Sequence, residues 1–227
     1  MMPAMFIRRR SALSALVAAL LLALAALPAR ADGQAGAYDY LVLALSWSPT
    51  YCASGAARAD VSQCGPGRRY GFVVHGLWPQ FEQGWPEYCA TDEPYVPEAM
   101  IAGMLDIMPS KRLVIHEWRK HGACSGLGQR GYFAALRTLF SKLRVPARYL
   151  APRAPVATTP EGLREDFLKT NPWLSADTIS LQCGNRRDAA RLSELRLCFA
   201  RDLSPRPCGA NERRQCRAAE LTLSPAR

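Results

Sequence analysis

The chain has 227 residues, with 29 Lys and Arg against 19 Asp and Glu, eight Cys and three His. That length is a prior for one domain, and a hydrophobic content of 49% with 21% charged residues excludes a disordered chain. Neither a Gly-x-y period nor a sustained heptad occurs, which excludes a collagen-like or coiled-coil protein.

In chain order, the first 31 residues stand apart from the rest. Arg8, Arg9 and Arg10 form a positive start, and Ser11 to Pro28 is almost wholly Ala and Leu. Ala29-Arg30-Ala31 then places small residues where a signal peptidase reads. The apolar run is also near the length of a single membrane anchor, but its Ala-rich content and Ala-x-Ala ending favour a cleaved leader. The expected organisation is a signal peptide over 1–31 and one domain over 32–227. Loss of the leader's four Arg lowers the formal net charge from +10 to about +6. No later stretch could span a bilayer, so export to the periplasm or medium is expected, with no membrane contact after cleavage. Arg far outnumbers Lys and no N-x-[ST] sequon occurs, an association with bacterial sources.

All eight cysteines follow the leader, at Cys52, Cys64, Cys89, Cys124, Cys183, Cys198, Cys208 and Cys216. An even count in an oxidising compartment reads as four disulfides, whose pairing the count leaves open. No C-x-x-C pair is present to suggest a metal site.

Tyr38 to Trp47 (YDYLVLALSW) is a short apolar run rich in strand formers, closed by Ser48-Pro49, and reads as a buried strand. Tyr70 to Val74 reads as a second strand after the turn signal Cys64-Gly65-Pro66-Gly67. Pro97 to Met108 has helical spacing, with Met100, Ile101, Met104, Leu105 and Met108 along one side, a stripe that suits core packing. Leu113 to Gly122 and Tyr132 to Leu143 read as helices. Another opens with Thr159 as N-cap and Pro160 first, and stops before Asn171-Pro172. Arg144 to Pro160 carries several prolines and reads as a long surface loop, and Thr178 to Gln182 and Glu194 to Phe199 read as late strands. Strands and helices mix without a βαβ repeat, so the expected class is α+β. A central, mainly antiparallel sheet with several packed helices would form a single disulfide-stapled domain.

The three histidines fall in two short stretches, His75-Gly76-Leu77-Trp78-Pro79 and His116-Glu117-Trp118-Arg119-Lys120-His121-Gly122-Ala123-Cys124. On a helix, Glu117 and His121 share a face, as do His116 and Lys120. Such a patch suits phosphoryl transfer from an internal hydroxyl: one imidazole takes a proton while another gives one to the leaving oxygen. An ammonium can hold the charge that gathers on the non-bridging oxygens, and a carboxylate can orient a histidine; no metal or other cofactor is required. A zinc reading is the competitor, because His75 could complete a three-histidine site. His116 and His121, however, are five apart, about 140° around a helix, where H-E-x-x-H needs four.

The segments HGLWP and HEWRKHGAC resemble the two catalytic segments of the ribonuclease T2 family, and LVLALSWSPTYC is similar to the family's first strand. The resemblance runs from about Tyr40 to Leu143 and rests on cysteine spacing beyond that. It implies that His75 is the general acid towards the 5′-oxygen and His121 the general base on the 2′-hydroxyl. It implies also that Glu117 and Lys120 stabilise the transition state, that His116 binds phosphate and that Trp78 stacks a base, although simple core packing also suits Trp78. Ala123 stands where the family commonly has Thr, and Gln80 where an Asn or Asp is sometimes found, which leaves base preference open. The implied disulfides are Cys52–Cys64, Cys89–Cys124, Cys183–Cys216 and Cys198–Cys208.

An endoribonuclease acting on single-stranded RNA through a 2′,3′-cyclic phosphate to a 3′-phosphate, as a monomer of low base specificity, is therefore the expectation. A basic surface suits such a substrate. A metal-dependent phosphodiesterase and an inactive RNA-binding relative are the alternatives.

Overall fold

The apolar run Tyr40–Trp47 forms strand β1 and lies second in a four-stranded antiparallel sheet, between Phe72–Gln80 and Leu192–Phe199, with Ile179–Cys183 beyond the latter. The structure is a computed structural model and describes residues 33–54, 60–184, 190–213 and 215–226; the expected leader over 1–31 lies outside the described residues. In chain order β1 is followed by α1 (Ser48–Cys52), α2 (Val61–Cys64), β2 (Phe72–Gln80), α3 (Glu98–Ala102), α4 (Lys111–Lys120) and α5 (Gly128–Lys142). Then come β3 (Val156–Thr158), α6 (Pro160–Thr170), β4 (Ile179–Cys183), β5 (Leu192–Phe199) and β6 (Leu221–Leu223). The class is α+β, as the mixed pattern indicates, and Asp32–Arg227 forms one compact unit.

One face of the sheet carries Leu41, Leu43, Leu45, Leu195 and Leu197, and the helices cover it with Trp118, Tyr132, Leu136 and Phe167, all buried. Alternation along the strands sends Tyr40, Val42 and Cys198 to the other face. At roughly 2 kcal/mol for each large apolar side chain, burial of the first face is the main stabilising term. Among the described residues no helix is long and apolar enough to cross a membrane.

Several boundaries move for identifiable reasons. The strand expected at Tyr70–Val74 runs instead from Phe72 to Gln80, because pairing with β1 continues through Trp78 and Pro79. The helix expected over Pro97–Met108 ends at Ala102. Beyond it Arg137 of α5 takes the Gly103 carbonyl and the Asp106 carboxylate, and Ile107 accepts from Val74 N–H of β2 at 2.9 Å. Those groups therefore serve tertiary contacts rather than a further helical turn. Ile101, Met104 and Met108 of its apolar stripe are buried, whereas Leu105 is 38% exposed.

Arg144–Pro160 is not a free surface loop. Its Val156–Thr158 pairs with Leu221–Leu223, and Tyr149 is fully buried, stacks on Phe167 and donates to Asp166 at 2.6 Å. Asn171 fastens the other end, accepting from Arg144 N–H at 2.8 Å and donating to the Arg144 carbonyl at 2.8 Å. Thr159 caps α6 by accepting from Gly162 N–H at 2.9 Å, with Pro160 at the first helical position. The eight cysteines form the disulfides Cys52–Cys64, Cys89–Cys124, Cys183–Cys216 and Cys198–Cys208.

Candidate active site

Strand β2 has one residue more than β1 between the pairs Ala44↔Gly76 and Leu45↔Val74, and that residue is His75. A bulge of this kind bends its strand and re-aims a side chain. Val74 and Leu77, three positions apart, therefore both enter the large core, while Trp78 packs with Tyr40 and Val42 on the other face. His75 is set at the bend, with 34% of its side chain exposed.

Helix α4 approaches this bend under tight control. Val114 and Trp118 bury their side chains in the core, and the Trp118 indole donates to the Glu93 carbonyl at 2.8 Å. Gly122 lies so close to this indole that a Cβ there would be 2.5 Å from the Trp118 ring. Glu117 is thereby pressed onto β2 with only 1% of its side chain exposed. A Cβ on Gly76 would lie 1.9 Å from its Oε2, so the glycine is what admits the carboxyl. Helix α5 holds β2 from the side, where Leu77 N–H donates to the buried Tyr132 hydroxyl at 3.3 Å.

Trp78 is the hub of the cluster. Its Nε1 donates to Glu117 Oε2 at 2.7 Å, and its ring meets His75 edge-on at 5.1 Å and His121 at 5.3 Å between centroids. His75 Nε2 stands 3.6 Å from Glu117 Oε1. His121, expected inside the helix, follows its last residue, yet still donates its backbone N–H to Glu117 at 3.0 Å, so the four-residue offset persists. His121 is 7% exposed, and its Nδ1 is buried with no hydrogen-bond partner among the described residues. His116 is exposed at the rim, and Lys120 pairs there with Glu87 at 3.5 Å. The structure thus brings His75, Glu117, Trp78 and His121 into contact and leaves His116 and Lys120 beside them.

The environment sets the two inner imidazoles apart. Burial, then the charges of Lys120, His75 and His116, pushes His121 down to about 3, so it is neutral at mildly acid pH. Burial also acts against the His75 cation, but the hydrogen bond to Glu194 and the charges of Glu117 and Glu194 outweigh it and raise the group. Burial pushes Glu117 up to about 7, against the opposing effects of His75 and the Trp78 hydrogen bond. His116 is lowered by burial and by the Lys120 and His75 charges. A neutral imidazole beside a charged one is an acid–base pair poised for proton transfer.

Sequence reasoning missed Glu194 and Arg196. Both project from β5 on the face away from Leu195 and Leu197, opposite Ser46 and Ala44 of β1. The available signal was an acid and a base two apart in an otherwise apolar strand. Among the described residues no group of three or more His, Cys, Asp or Glu is arranged to hold a metal ion. The Cys89–Cys124 disulfide joins the segment after β2 to the turn after α4, and Tyr88 N–H bonds the Lys120 carbonyl at 2.9 Å beside it.

A family model described as the Ribonuclease T2 family matches residues 38–208. A protein of Aeromonas hydrophila named "Ribonuclease" is 43% identical over 119 residues, covering 52% of this chain and 53% of that protein. A "Probable ribonuclease" of Haemophilus influenzae is 38% identical over 125 residues, covering 50% of this chain and 46% of its own length. The chain thus spans about half the length of these two curated relatives. The solved structure of trichomaglin, described as a novel S-like ribonuclease, has the same fold, with a TM-score of 0.67 at 24% identity over 84% of this chain and 99% of that one.

Proposed function

Since this chain belongs to the ribonuclease T2 family, we propose that it is an exported endoribonuclease that cleaves single-stranded RNA without a metal. The observation that carries the reading is the packing of both His75 and His121 against Trp78, whose Nε1 bonds Glu117 at 2.7 Å; the opposite shifts of the two imidazoles support it. Neutral His121 removes the proton of a ribose 2′-hydroxyl, whose oxygen attacks the adjacent phosphorus. Glu117 and Lys120 stabilise the charge on the non-bridging oxygens, and His116 binds the phosphate from the rim. His75 gives its proton to the departing 5′-oxygen, leaving a 2′,3′-cyclic phosphate. In the second half, with roles exchanged, water opens the ring to a 3′-phosphate.

Trp78 offers the uncovered part of its ring to a base, while the rest of the indole fixes Glu117. Every group comes from one chain, so a monomer suffices. Single strands are favoured because an A-form helix restrains the in-line attack. The leader and four disulfides suit export. A DNA oligonucleotide carrying one ribonucleotide tests the reading: cleavage should occur only on the 3′ side of that ribose. Cleavage of the all-deoxy control would overturn it.

A further inference from the structure

Glu194 lies outside both motifs and 119 residues from His75, yet it makes the shortest contact of that imidazole, 2.6 Å from Oε1 to Nδ1. Its other oxygen, Oε2, accepts from Arg196 Nε at 2.9 Å and Nη2 at 2.7 Å. The Arg196 guanidinium lies 4.9 Å from the Trp78 ring centroid. The carboxylate is therefore gripped on one side and spends its free oxygen on the histidine. It stands on a central strand, paired to β1 and β4, so its position is fixed by the sheet rather than by a loop.

We propose that Glu194 is the positioning residue of His75, holding Nδ1–H against its carboxylate so that Nε2 is the nitrogen that exchanges a proton with the substrate. This rests on the proposed transesterification. In the first half the Nε2–H bond of the imidazolium breaks, its electron pair returns to the ring and the proton joins the leaving 5′-oxygen. The ring left behind is the Nδ1–H tautomer, which Glu194 continues to bind. Its Nε2 lone pair then takes a proton from the water that attacks the cyclic phosphate, restoring the imidazolium. One fixed tautomer thus serves both halves of the reaction. Glu117 cannot fill this role, because it faces Nε2, at 3.6 Å, the atom that must meet the substrate.

The groups around the imidazole support the charge assignment. From β5 come Glu194 and Arg196, and from α4 and the turn after it come Glu117, His116, Lys120 and His121. Tyr51 of α1 and Asp60 at the start of α2 line the cavity beside His75. Burial opposes the ionised form of Glu194, but the His75 hydrogen bond and charge together with Arg196 hold its carboxyl down at about 2. A carboxylate ionised across the working range and bonded to His75 keeps the imidazolium charged.

The test is Glu194→Gln, assayed on an RNA dinucleotide and on uridine 3′-(4-nitrophenyl phosphate), whose nitrophenolate leaves without needing a proton. The dinucleotide kcat should fall about tenfold to a hundredfold with KM unchanged, whereas the aryl ester should change by less than about threefold. The alkaline limb of the dinucleotide pH profile should move to lower pH, and Glu194→Asp should recover part of the rate. Equal losses on both substrates, or an unmoved alkaline limb, would overturn the proposal and leave Glu194 a structural group. Imidazole ¹⁵N shifts of the unaltered protein give a second test that needs no variant: neutral His75 should be the Nδ1–H tautomer, and Nε2–H would overturn the proposal. His75→Ala separates the two levels of argument. If it retains dinucleotide cleavage, the acid–base reading and this one both fail; if it is inactive while Glu194→Gln is unaffected, only the Glu194 assignment fails.

Discussion

Trp78 Nε1 donates to Glu117 Oε2 at 2.7 Å, and this bond ties β2 directly to α4. The indole supplies the only side-chain hydrogen bond recorded for that buried carboxyl among the described residues, so its donor matters separately from its aromatic surface. Trp78→Phe keeps a ring for stacking and removes the donor. Leaving a buried acceptor unpaired costs roughly 1–3 kcal/mol, so kcat should fall about tenfold to a hundredfold with little change in KM. Steady-state kinetics on a dinucleotide checks this; a rise in KM alone would mean that Trp78 serves only base stacking.

Gly76 is required by contact rather than by backbone angle. A methyl group would meet Glu117 Oε2 at 1.9 Å and Trp78 Nε1 at 2.6 Å, and the hydrogen bond between those two groups leaves neither free to yield. Gly76→Ala should therefore displace the carboxyl, lowering kcat by about a hundredfold or more while the far-ultraviolet circular dichroism stays native. Wild-type turnover in this variant would show that Glu117 is not held where the site needs it.

The pH profile of kcat/KM should have two separated limbs. In the proposed mechanism His121 acts when neutral, so activity should rise as pH passes upward through its value of about 3. His75 is there the charged partner, so activity should fall as pH passes its raised value, above the ordinary 6.5. Lys120→Ala removes a charge that depresses His121 and should move the acid limb to higher pH, besides lowering the rate. The same linkage affects stability: a His with a folded pKa below its unfolded one contributes fully above 6.5, and loses that contribution as pH falls towards 3. Thermal melts across that window should show wild type losing stability relative to His121→Phe as pH falls.

Much of this could be read from the chain itself, and the omissions share a cause. The two motifs, the Thr159 cap and the apolar face of β1 are local patterns, legible because spacing and neighbours suffice. The His75 bulge was not legible, since a one-residue excess exists only relative to the partner strand. Glu194 was missed because its partner lies on a strand two places away in the sheet. The β3–β6 pair joins segments more than 60 residues apart, and a proline-rich stretch reads as loop until its partner is known. The α4 helix was legible, but the packing of Gly122 on Trp118, which sets its approach, was not.

Two disulfides of similar span separate stability from catalysis. Cys89–Cys124 and Cys183–Cys216 close 35 and 33 residues, so each should stabilise by about 4 kcal/mol through loop entropy. Replacing either pair by Ala should lower Tm comparably. Only loss of Cys89–Cys124, which links the segment after His75 to the turn after His121, should also lower kcat well below the melting range. Equal catalytic losses would mean that the site responds to global stability alone.

The most direct test of metal-free transesterification is digestion of a short RNA by the purified 32–227 protein in EDTA, with product ends read by mass spectrometry. Products ending in a 2′,3′-cyclic phosphate that later convert to 3′-phosphate are predicted. No cleavage in EDTA, restored by zinc or another divalent ion, would contradict the account and assign the histidines to a metal.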